Sequence, residues 1–384
     1  MNHRERALAV LNYQPCDRLP IVHFGYWDET LEKWAREGHI SLRAADRWRD
    51  GNYYDRLVGE KLGFDFNWYS TFGADVGLRP AIRKRTVEQM PDGSRHVLDR
   101  NGAIVVEKDG VVSIPAEIDH ILKGREAWES VFKPRLQWRA ERLHRAKVRT
   151  EQKVLYFEEG GLLALETPDR ALPLGLHCGS LMGNIRNWLG LVGLSYLTAD
   201  DPLLLDEMIE MVAELSYQGA KAVLEQGLSF DFGHFWEDIC YRSGPLINPR
   251  LFRAKVGPHY RRITELLSQH GIRIVSLDCD GKIDALIPTW FDNGVNTMFP
   301  IEVGVWNASI APWREKYGRE LRGVGGMDKR VFARDYAAVD AEVERLRPLV
   351  ALGGFIPCPD HRVAPDGKWE NVQYYCERMR QAFG

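Results

Sequence analysis

From residue 171 to the end of the chain, short apolar runs alternate with longer stretches in which apolar residues recur at helical spacing. The apolar runs are ALPLGLHCG (171–179), GLSFDFGHF (227–235), GIRIVSLDCDG (271–281), VNTMFPIE (295–302), LRGVGGMD (321–328) and GGFIPCPDH (353–361). A helix is predicted after each of them. Six consecutive strand-then-helix units indicate an α/β protein with a parallel sheet and right-handed crossovers.

The N-terminal part of the chain supplies the elements that the alternating pattern still lacks. Residues 2–13 are predicted as an amphipathic helix, and RLPIVHFGY (18–26) as a buried strand. With this strand and one from the middle of the chain, the natural closure is a (β/α)8 TIM barrel, formed by residues 1–384 as a single domain. A doubly wound open sheet is the alternative, but no G-x-G-x-x-G or P-loop follows any predicted strand.

A segment of different character interrupts the α/β pattern. Residues 81–118 contain strand-length runs separated by turn signals at Asp92–Gly93, Asn101–Gly102 and Asp109–Gly110. This pattern is typical of an antiparallel β-meander of three or four strands. We therefore predict a β-meander inserted into the barrel, besides the N-terminal helical extension.

Composition and charge exclude several classes of function. The net charge is −3, which argues against nucleic acid or an anionic membrane as the main partner. No apolar run approaches the ~20 residues that a membrane-spanning helix needs. The first residues show no cleavage pattern of a signal peptide, and the six cysteines are scattered singly. The sequence thus predicts a cytoplasmic protein with reduced thiols.

Acids, histidines and tryptophans recur where the predicted strands end. In a barrel these ends meet at one face and form the active site. The side chains at these ends are His23, Trp27, His177, His234, Trp236, Glu237, Asp238, Asp278, Asp280, Glu302, Asp328, Asp360 and His361. For each residue alone, a helix cap, an ion pair or a satisfied loop residue is the favoured explanation, but together the imidazoles and carboxylates suit zinc, or a harder ion such as manganese or iron.

The stretch SLDCDG (276–281) concentrates this chemistry. Residues two apart in an extended chain point to the same side, so Asp278 and Asp280 converge while Cys279 points away. Two carboxylates that close repel each other unless a cation or a proton lies between them. The structural alternative is a capping turn before a helix.

Four stretches together resemble the uroporphyrinogen decarboxylase superfamily. They are RERALAVLNYQPCDRLPIV, SLDCDGKIDALIPTWFDNGVNTMFPIEVG, the turn GGMDKR, and GGFIPCPDHRVAPDGKWENV. The resemblance covers essentially the whole chain and is weakest in the β-meander. It implies a (β/α)8 barrel that is either a cofactor-free decarboxylase or a cobalamin-dependent methyltransferase.

The decarboxylase pattern is missing at one informative place. That enzyme carries an arginine-rich F-x-R-Q-A-G-R type motif after its first strand, which holds a polycarboxylate tetrapyrrole. This chain has HFGYWDETLEKW (23–34) there, with acids at Asp28 and Glu29 and no arginine. Substrate carboxylates would be repelled at this position. The resemblance is therefore nearer to the methyltransferases.

The methyltransferases bind zinc through an H-x-C-G segment and a late cysteine, and this chain departs from both. Asp278 stands where the histidine would be, Asp280 where the cysteine would be, and His361 in place of the late cysteine. The resemblance thus implies a metal held by Asp278, Asp280 and His361, with zinc favoured and a harder ion as the alternative. The absence of both thiolates favours an oxygen substrate over a thiol.

We therefore predict a metal-dependent methyltransferase of the corrinoid (cobalamin) type that demethylates a methoxylated small molecule. The metal acts as a Lewis acid, and a partner protein supplies the corrinoid. Glu237, Glu302 and His234 are the predicted catalytic residues. The predicted substrate-binding residues are Trp27, His23, His177, Trp236 and Trp306.

Two other functions stay open on the sequence alone. One is a decarboxylase or lyase that acts on a small carboxylated substrate, with the acids as proton donors. The other is a barrel that has lost catalysis and binds a ligand. The resemblance further implies a homodimer, and neither nucleic acid nor a membrane is expected as a partner.

Overall fold

The computed structural model describes residues 1–108, 115–150, 152–167 and 169–384. Within these residues, eight parallel strands surround a common interior, and we number them as barrel strands 1 to 8. Barrel strand 2 is broken into two pieces. The strands are Val22–His23 (1), Phe66–Asn67 and Thr71–Phe72 (2), Gly175–His177 (3), Phe232–Trp236 (4), Val275–Asp278 (5), Thr297–Phe299 (6), Arg322–Met327 (7) and Phe355–Pro359 (8).

The strand pairings follow the order of a barrel. The first piece of barrel strand 2 pairs with strand 1, and its second piece pairs with strand 3. Strands 3 to 8 then pair in chain order, all in parallel. A parallel bridge between Tyr26 and Val363 joins the chain after strand 1 to the chain after strand 8. This order confirms the predicted fold class and differs from that of a doubly wound sheet, in which the strand order reverses.

The interior of the barrel is a separate apolar cluster. Its buried members come from almost every barrel strand: Val22, Phe24, Phe66, Trp68, Phe232, Ile274, Phe299, Val324, Ile356 and Cys358. Ala7 and Leu11 of the N-terminal helix join it from the N-terminal end of the strands, which we call the floor. The C-terminal end, which we call the mouth, is left for polar side chains.

Helices cover the outside of the barrel. The longer ones are His3–Leu11, Asp28–Arg36, Leu42–Arg47, Tyr53–Leu62, Gly183–Asp200, Pro202–Leu224, Pro249–Lys255, Gly257–Gln269, Ile287–Asp292, Ile310–Tyr317, Tyr336–Ala351 and Trp369–Phe383. Short helical turns are Arg125–Ala127, Trp128–Phe132, Lys133–Leu136, Glu141–His144, Phe157–Gly161, Leu162–Leu165, Val303–Trp306, Gly318–Glu320 and Lys329–Ala333. None of the helices in the described ranges is long and apolar enough to cross a membrane.

Local chemistry explains where several helices begin. Asp201 accepts a hydrogen bond from the Leu204 N–H at 3.0 Å, and Pro202 follows at the first helical position. Residues 42–62 form two helices, Leu42–Arg47 and Tyr53–Leu62. Gly51 lies between them with φ of +72°, a conformation that favours glycine, and its N–H donates to Asp55 at 2.8 Å.

The inserted segment forms an antiparallel sheet of four strands in the described residues. They are Arg85–Gln89, Arg95–Leu98, Ala103–Glu107 and Ala116–His120. The sheet therefore starts and ends slightly later than the predicted boundaries of 81 and 118. The predicted turn at Asp109–Gly110 lies outside the described residues. Two short hairpins, Lys147–Arg149 with Val154–Tyr156 and Cys240–Tyr241 with Gly244–Pro245, complete the strands.

Candidate active site

Alternation along the strands decides which side chains reach the barrel interior. Phe232 faces the interior, so His234 and Trp236 of the same strand lie on the same side. Ile274 likewise brings Asp278 to the inner side, while Cys279 is buried in the outer core against the helices. Trp236 and Asp278 are also register partners of barrel strands 4 and 5. The mouth is therefore built from the strand ends as the sequence predicts.

Two of the three residues predicted to hold a metal, Asp280 and His361, lie close together at the mouth. The His361 Nε2 is 3.3 Å from the Asp280 Oδ2, and the His361 ring stacks on Trp27 with centroids 5.4 Å apart. Asp280 Oδ1 and His361 Nδ1 are buried and have no hydrogen-bond partner in the described residues. A polar atom buried without a partner is costly, and such atoms in a cleft point to a missing ligand.

Asp278 lies deeper than this pair. Its side chain is buried, and the Tyr69 hydroxyl donates a hydrogen bond to it. Burial first, and then the nearby charge of Asp280, raise the pKa of the Asp278 carboxyl well above its usual range. A cation or a proton is therefore needed to stabilise these two acids side by side.

The side chains as arranged do not yet enclose an ion. In the part of the chain that the structure describes, no group of three His, Cys, Asp or Glu side chains is placed so that it could hold a metal ion. Asp280 and His361 fit two ligand positions through their free atoms, and Asp278 stays outside that pair. The three-ligand metal site stays a prediction.

Glu302 and Asp360 fix the loops around this pair. Glu302 Oε2 accepts a hydrogen bond from the Gly281 N–H at 2.5 Å and so holds the turn that follows Asp280. Burial, aided by the charge of Asp280, raises the pKa of Glu302 to about 7. Asp360 Oδ2 accepts from the Gly304 N–H at 2.7 Å, which ties the loop after barrel strand 8 to the loop after strand 6.

Glu237 is buried on the other side of its strand. Its neighbour Trp236 lies on the inner side, so the Glu237 carboxylate points outward to the helices. Both of its oxygens are occupied by donors at the start of helix Gly183–Asp200 and on a neighbouring helix: the Ser180 hydroxyl, the N–H groups of Leu181, Met182 and Gly183, and the Tyr260 hydroxyl. No oxygen is left for substrate or metal, so the geometry makes Glu237 a helix cap, contrary to the predicted catalytic role.

His23 also points away from the mouth. Val22 and Phe24 belong to the interior cluster, so His23 between them faces outward. Its ring packs on Phe64 with ring centroids 4.9 Å apart, and its Nε2 is 3.9 Å from the Asp55 Oδ1. The structure therefore places it on the flank of the barrel, which corrects the prediction that it binds substrate at the mouth.

His177 and His234 form a polar layer inside the barrel beneath Trp236. They are register partners on barrel strands 3 and 4, and the His234 Nδ1 is 3.1 Å from the Ser276 hydroxyl. Burial lowers the pKa of His177 to about 4 and that of His234 to about 3, so both imidazoles are neutral at pH 7. The His234 Nε2 has no partner in the described residues, which keeps it available as predicted.

The remaining predicted residues divide between the site and its surroundings. Trp27 stacks on His361, and Trp236 is half-buried beside Asp278. Trp306 follows barrel strand 6 and packs against Trp313, with ring centroids 6.1 Å apart. Asp328 is a cap paired with Arg330 and does not point to the Asp280–His361 pair.

Sequence reasoning missed the cations and one phenol of the mouth. Tyr69 follows a strand too short to be recognised, and it bonds Asp278. Arg362 donates to both oxygens of Asp50, at 3.2 and 2.7 Å. The Lys329 ammonium donates to the Arg362 carbonyl at 3.1 Å, and its pKa is lowered by burial against the opposing charge of Asp360. Both cations follow predicted strands, so counting basic as well as acidic strand ends would have found them.

Comparison with known proteins supports the fold. No family model matches the chain, and no curated protein matches it. A methyltransferase from Methanosarcina mazei superimposes with a TM-score of 0.61 at 15% identity, covering 99% of this chain and 98% of its own. A B12-independent methionine synthase from Shewanella sp. W3-18-1, in complex with selenomethionine, has a TM-score of 0.46 at 12% identity over 95% and 98% of the two chains. The chain thus shares the fold of the methyltransferase over almost its whole length.

Proposed function

We propose that this protein is a methyltransferase whose reaction takes place at the mouth of the barrel. The observation that carries the proposal is the Asp280–His361 pair, whose Oδ1 and Nδ1 atoms are buried without partners in the described residues. The methyltransferase from Methanosarcina mazei, which shares the fold over almost the whole chain, supports this class of reaction. Barrel enzymes place their chemistry at this end of the strands.

A divalent ion, zinc in the first place and a harder ion as the alternative, would be held by Asp280 and His361, with Asp278 as the third ligand. The unpartnered atoms of the first two support this assignment, and the raised pKa of Asp278 shows that a cation would stabilise its charged form. When bound, the ion would supply Lewis acidity toward a substrate oxygen.

The chain's own residues would orient the substrate and stabilise the leaving group. Trp27 and Trp236 offer aromatic faces on either side of Asp278 and His361, which suits the ring of a methoxylated small molecule. Tyr69 keeps the Asp278 carboxyl in position through its hydrogen bond. Glu302 lies beside this group as the proposed acid or base. The methyl acceptor in this proposal is a corrinoid carried by a partner protein.

The proposal is tested by metal content and methyl transfer in the same preparations. Protein purified in the presence of zinc is analysed by mass spectrometry of metals and then incubated with a methoxylated phenol and cob(I)alamin. We expect one bound ion per chain and the absorbance of methylcobalamin. Asp280→Ala and His361→Ala lose both, whereas His144→Ala, which removes an exposed imidazole far from the mouth, changes neither.

Two results would redirect the assignment. If both variants keep stoichiometric metal, Asp280 and His361 are not its ligands. Release of CO2 from a carboxylated probe without any cobalamin would reject methyl transfer and support the lyase, in which the acids of the mouth donate the proton.

A further inference from the structure

Barrel strand 2 is interrupted in the barrel wall. Its first piece ends at Asn67 and its second begins at Thr71, so Trp68, Tyr69 and Ser70 between them lie in neither piece. The Asn67 side chain accepts from the Tyr69 N–H at 2.9 Å, which turns the chain at this point. The Tyr69 ring packs against His234 inside the barrel with centroids 5.3 Å apart, and its hydroxyl lies beside Asp278, so this turn is in contact with the candidate active site.

A cleft lies outside the barrel along the broken strand, and we call it the flank cleft. It runs between helix Tyr53–Leu62 and residues 148–150, 164–167 and 170–174, and its volume is about 600 Å³. Asp55, His23 and Ser70 are among its lining residues. The volume falls within the range of about 300 to 1,000 Å³ that is typical of small-molecule sites.

The flank cleft continues toward the mouth through a narrower space. This space has a volume of about 180 Å³ and is lined by Tyr69 and Asp50. The cleft and the narrower space share Ser70, Arg149 and Leu165 in their walls. Because the Tyr69 ring packs against His234 in the barrel interior, with centroids 5.3 Å apart, the inner end of this path is one side chain away from the candidate active site.

The residues that line the flank cleft indicate which kind of ligand it would bind. Phe64, Leu165 and Leu174 supply apolar surface. The exposed Arg149 guanidinium has no hydrogen bond or ion pair to the described residues, although it stands at the junction of the two spaces. His23 is buried and its Nδ1 accepts from the Gly25 N–H, so its proton is on the Nε2, which lies on the side of the cleft.

We propose that the flank cleft binds a small organic anion with an apolar body and leads it to the mouth past Tyr69. Arg149 pairs with the anionic group, Leu165 packs on the apolar body, and the far end of the molecule reaches toward Asp278. What happens at Asp278 rests on the proposed function, whereas binding in the cleft does not. If the proposed methyl transfer takes place, its substrate is then a methoxylated organic acid.

The test is calorimetric titration of the purified protein with 4-methoxybenzoate. Leu165 is 8% exposed and lines both spaces, so Leu165→Trp fills the path. We expect this variant and Arg149→Gln each to weaken binding by about tenfold or more. The matched controls are Leu163→Trp on the same helical turn, where the side chain is 74% exposed, and Arg139→Gln on the surface. Both controls bind as the unmodified chain does.

Binding that is unchanged in Leu165→Trp and Arg149→Gln overturns the proposal, as does a complete lack of binding to the unmodified chain. Circular dichroism shows whether Leu165→Trp is folded, and Arg149→Gln, at an exposed position, tests the proposal if it is not. Methyl transfer from the bound compound is measured separately. If 4-methoxybenzoate binds through the cleft but no methyl group leaves it, the proposed function fails while the binding site stands.

Discussion

The polar side chains at the mouth and at the floor of the barrel have different partners. At the floor, Arg314 donates to the Leu352 and Gly353 carbonyls at 2.9 and 2.8 Å, and Arg322 donates to the Leu11 carbonyl at 2.6 Å. These carbonyls lie at or just after the ends of helices and have no partner within them. The Arg314 Nε has no partner in the described residues, as is also true of Asp280 Oδ1 and His361 Nδ1 at the mouth, but both terminal nitrogens of Arg314 are bonded to carbonyls.

The difference separates stability from function. A guanidinium at the C-terminal end of a helix satisfies free carbonyls and opposes the helix dipole, so the floor is held together by such contacts. Unpartnered acceptors and donors at the mouth lower stability, and the proposed ligand would supply their missing contacts. The predictions below test this separation, from the largest expected effect to the smallest.

The largest effect is expected at Asp280. Asp280→Asn should slow methyl transfer by about 10³-fold, equivalent to about 4 kcal/mol, because it removes the proposed charge that meets the substrate or its metal. The free energy of unfolding should stay within about 0.5 kcal/mol, since in the described residues the carboxylate has a single ion-pair partner, His361. Turnover assays and urea unfolding on one preparation measure both. If the free energy of unfolding fell by as much as the activation free energy rose, Asp280 would serve stability as the floor residues do.

Glu237 follows a strand that ends at the mouth, yet we expect it to serve stability. Glu237→Ala leaves buried donors unsatisfied at the start of helix Gly183–Asp200, so unfolding should become easier by about 3 kcal/mol. Gly183 brings its N–H to 2.5 Å from this carboxylate, and a Cβ there would lie 2.8 Å from the Ser180 hydroxyl oxygen. Urea unfolding measures the change, and the exposed Glu225→Ala serves as the control. An unchanged unfolding curve would return Glu237 to the candidate catalytic residues.

Arg314 at the floor should have a smaller effect that is confined to stability. Arg314→Ala frees two carbonyls at the end of helix Tyr336–Ala351, and we expect a loss of about 2 kcal/mol in the free energy of unfolding. Arg319→Ala nearby removes an exposed guanidinium that lies 4.2 Å from the Tyr13 ring and should change stability by less than about 0.5 kcal/mol. Thermal unfolding compares the two. Equal losses would show that charge at the floor, rather than these carbonyl contacts, stabilises it.

The hydrophobic pattern was enough to predict the barrel. Each strand-then-helix unit has a local signal, such as Asp201 and Pro202 at a helix start, and the order of the units leaves few topologies. The position of Asp278 on the inner side, with Cys279 behind it, also followed from alternation along one strand. The interruption of barrel strand 2 around Tyr69 could not be predicted from the sequence, because its two pieces have only two residues each and give no strand pattern.

The sequence by itself thus determined the class of fold and the face on which the chemistry is concentrated, since strand ends and alternation are local properties. Apart from Asp278, the side on which the polar residues lie was decided only by the tertiary structure. His23 and Glu237 end or adjoin inner strands as His234 and Asp278 do, yet they face the helices. One residue of register moves a side chain from the interior to the outside, and only the packing of neighbouring strands sets that register.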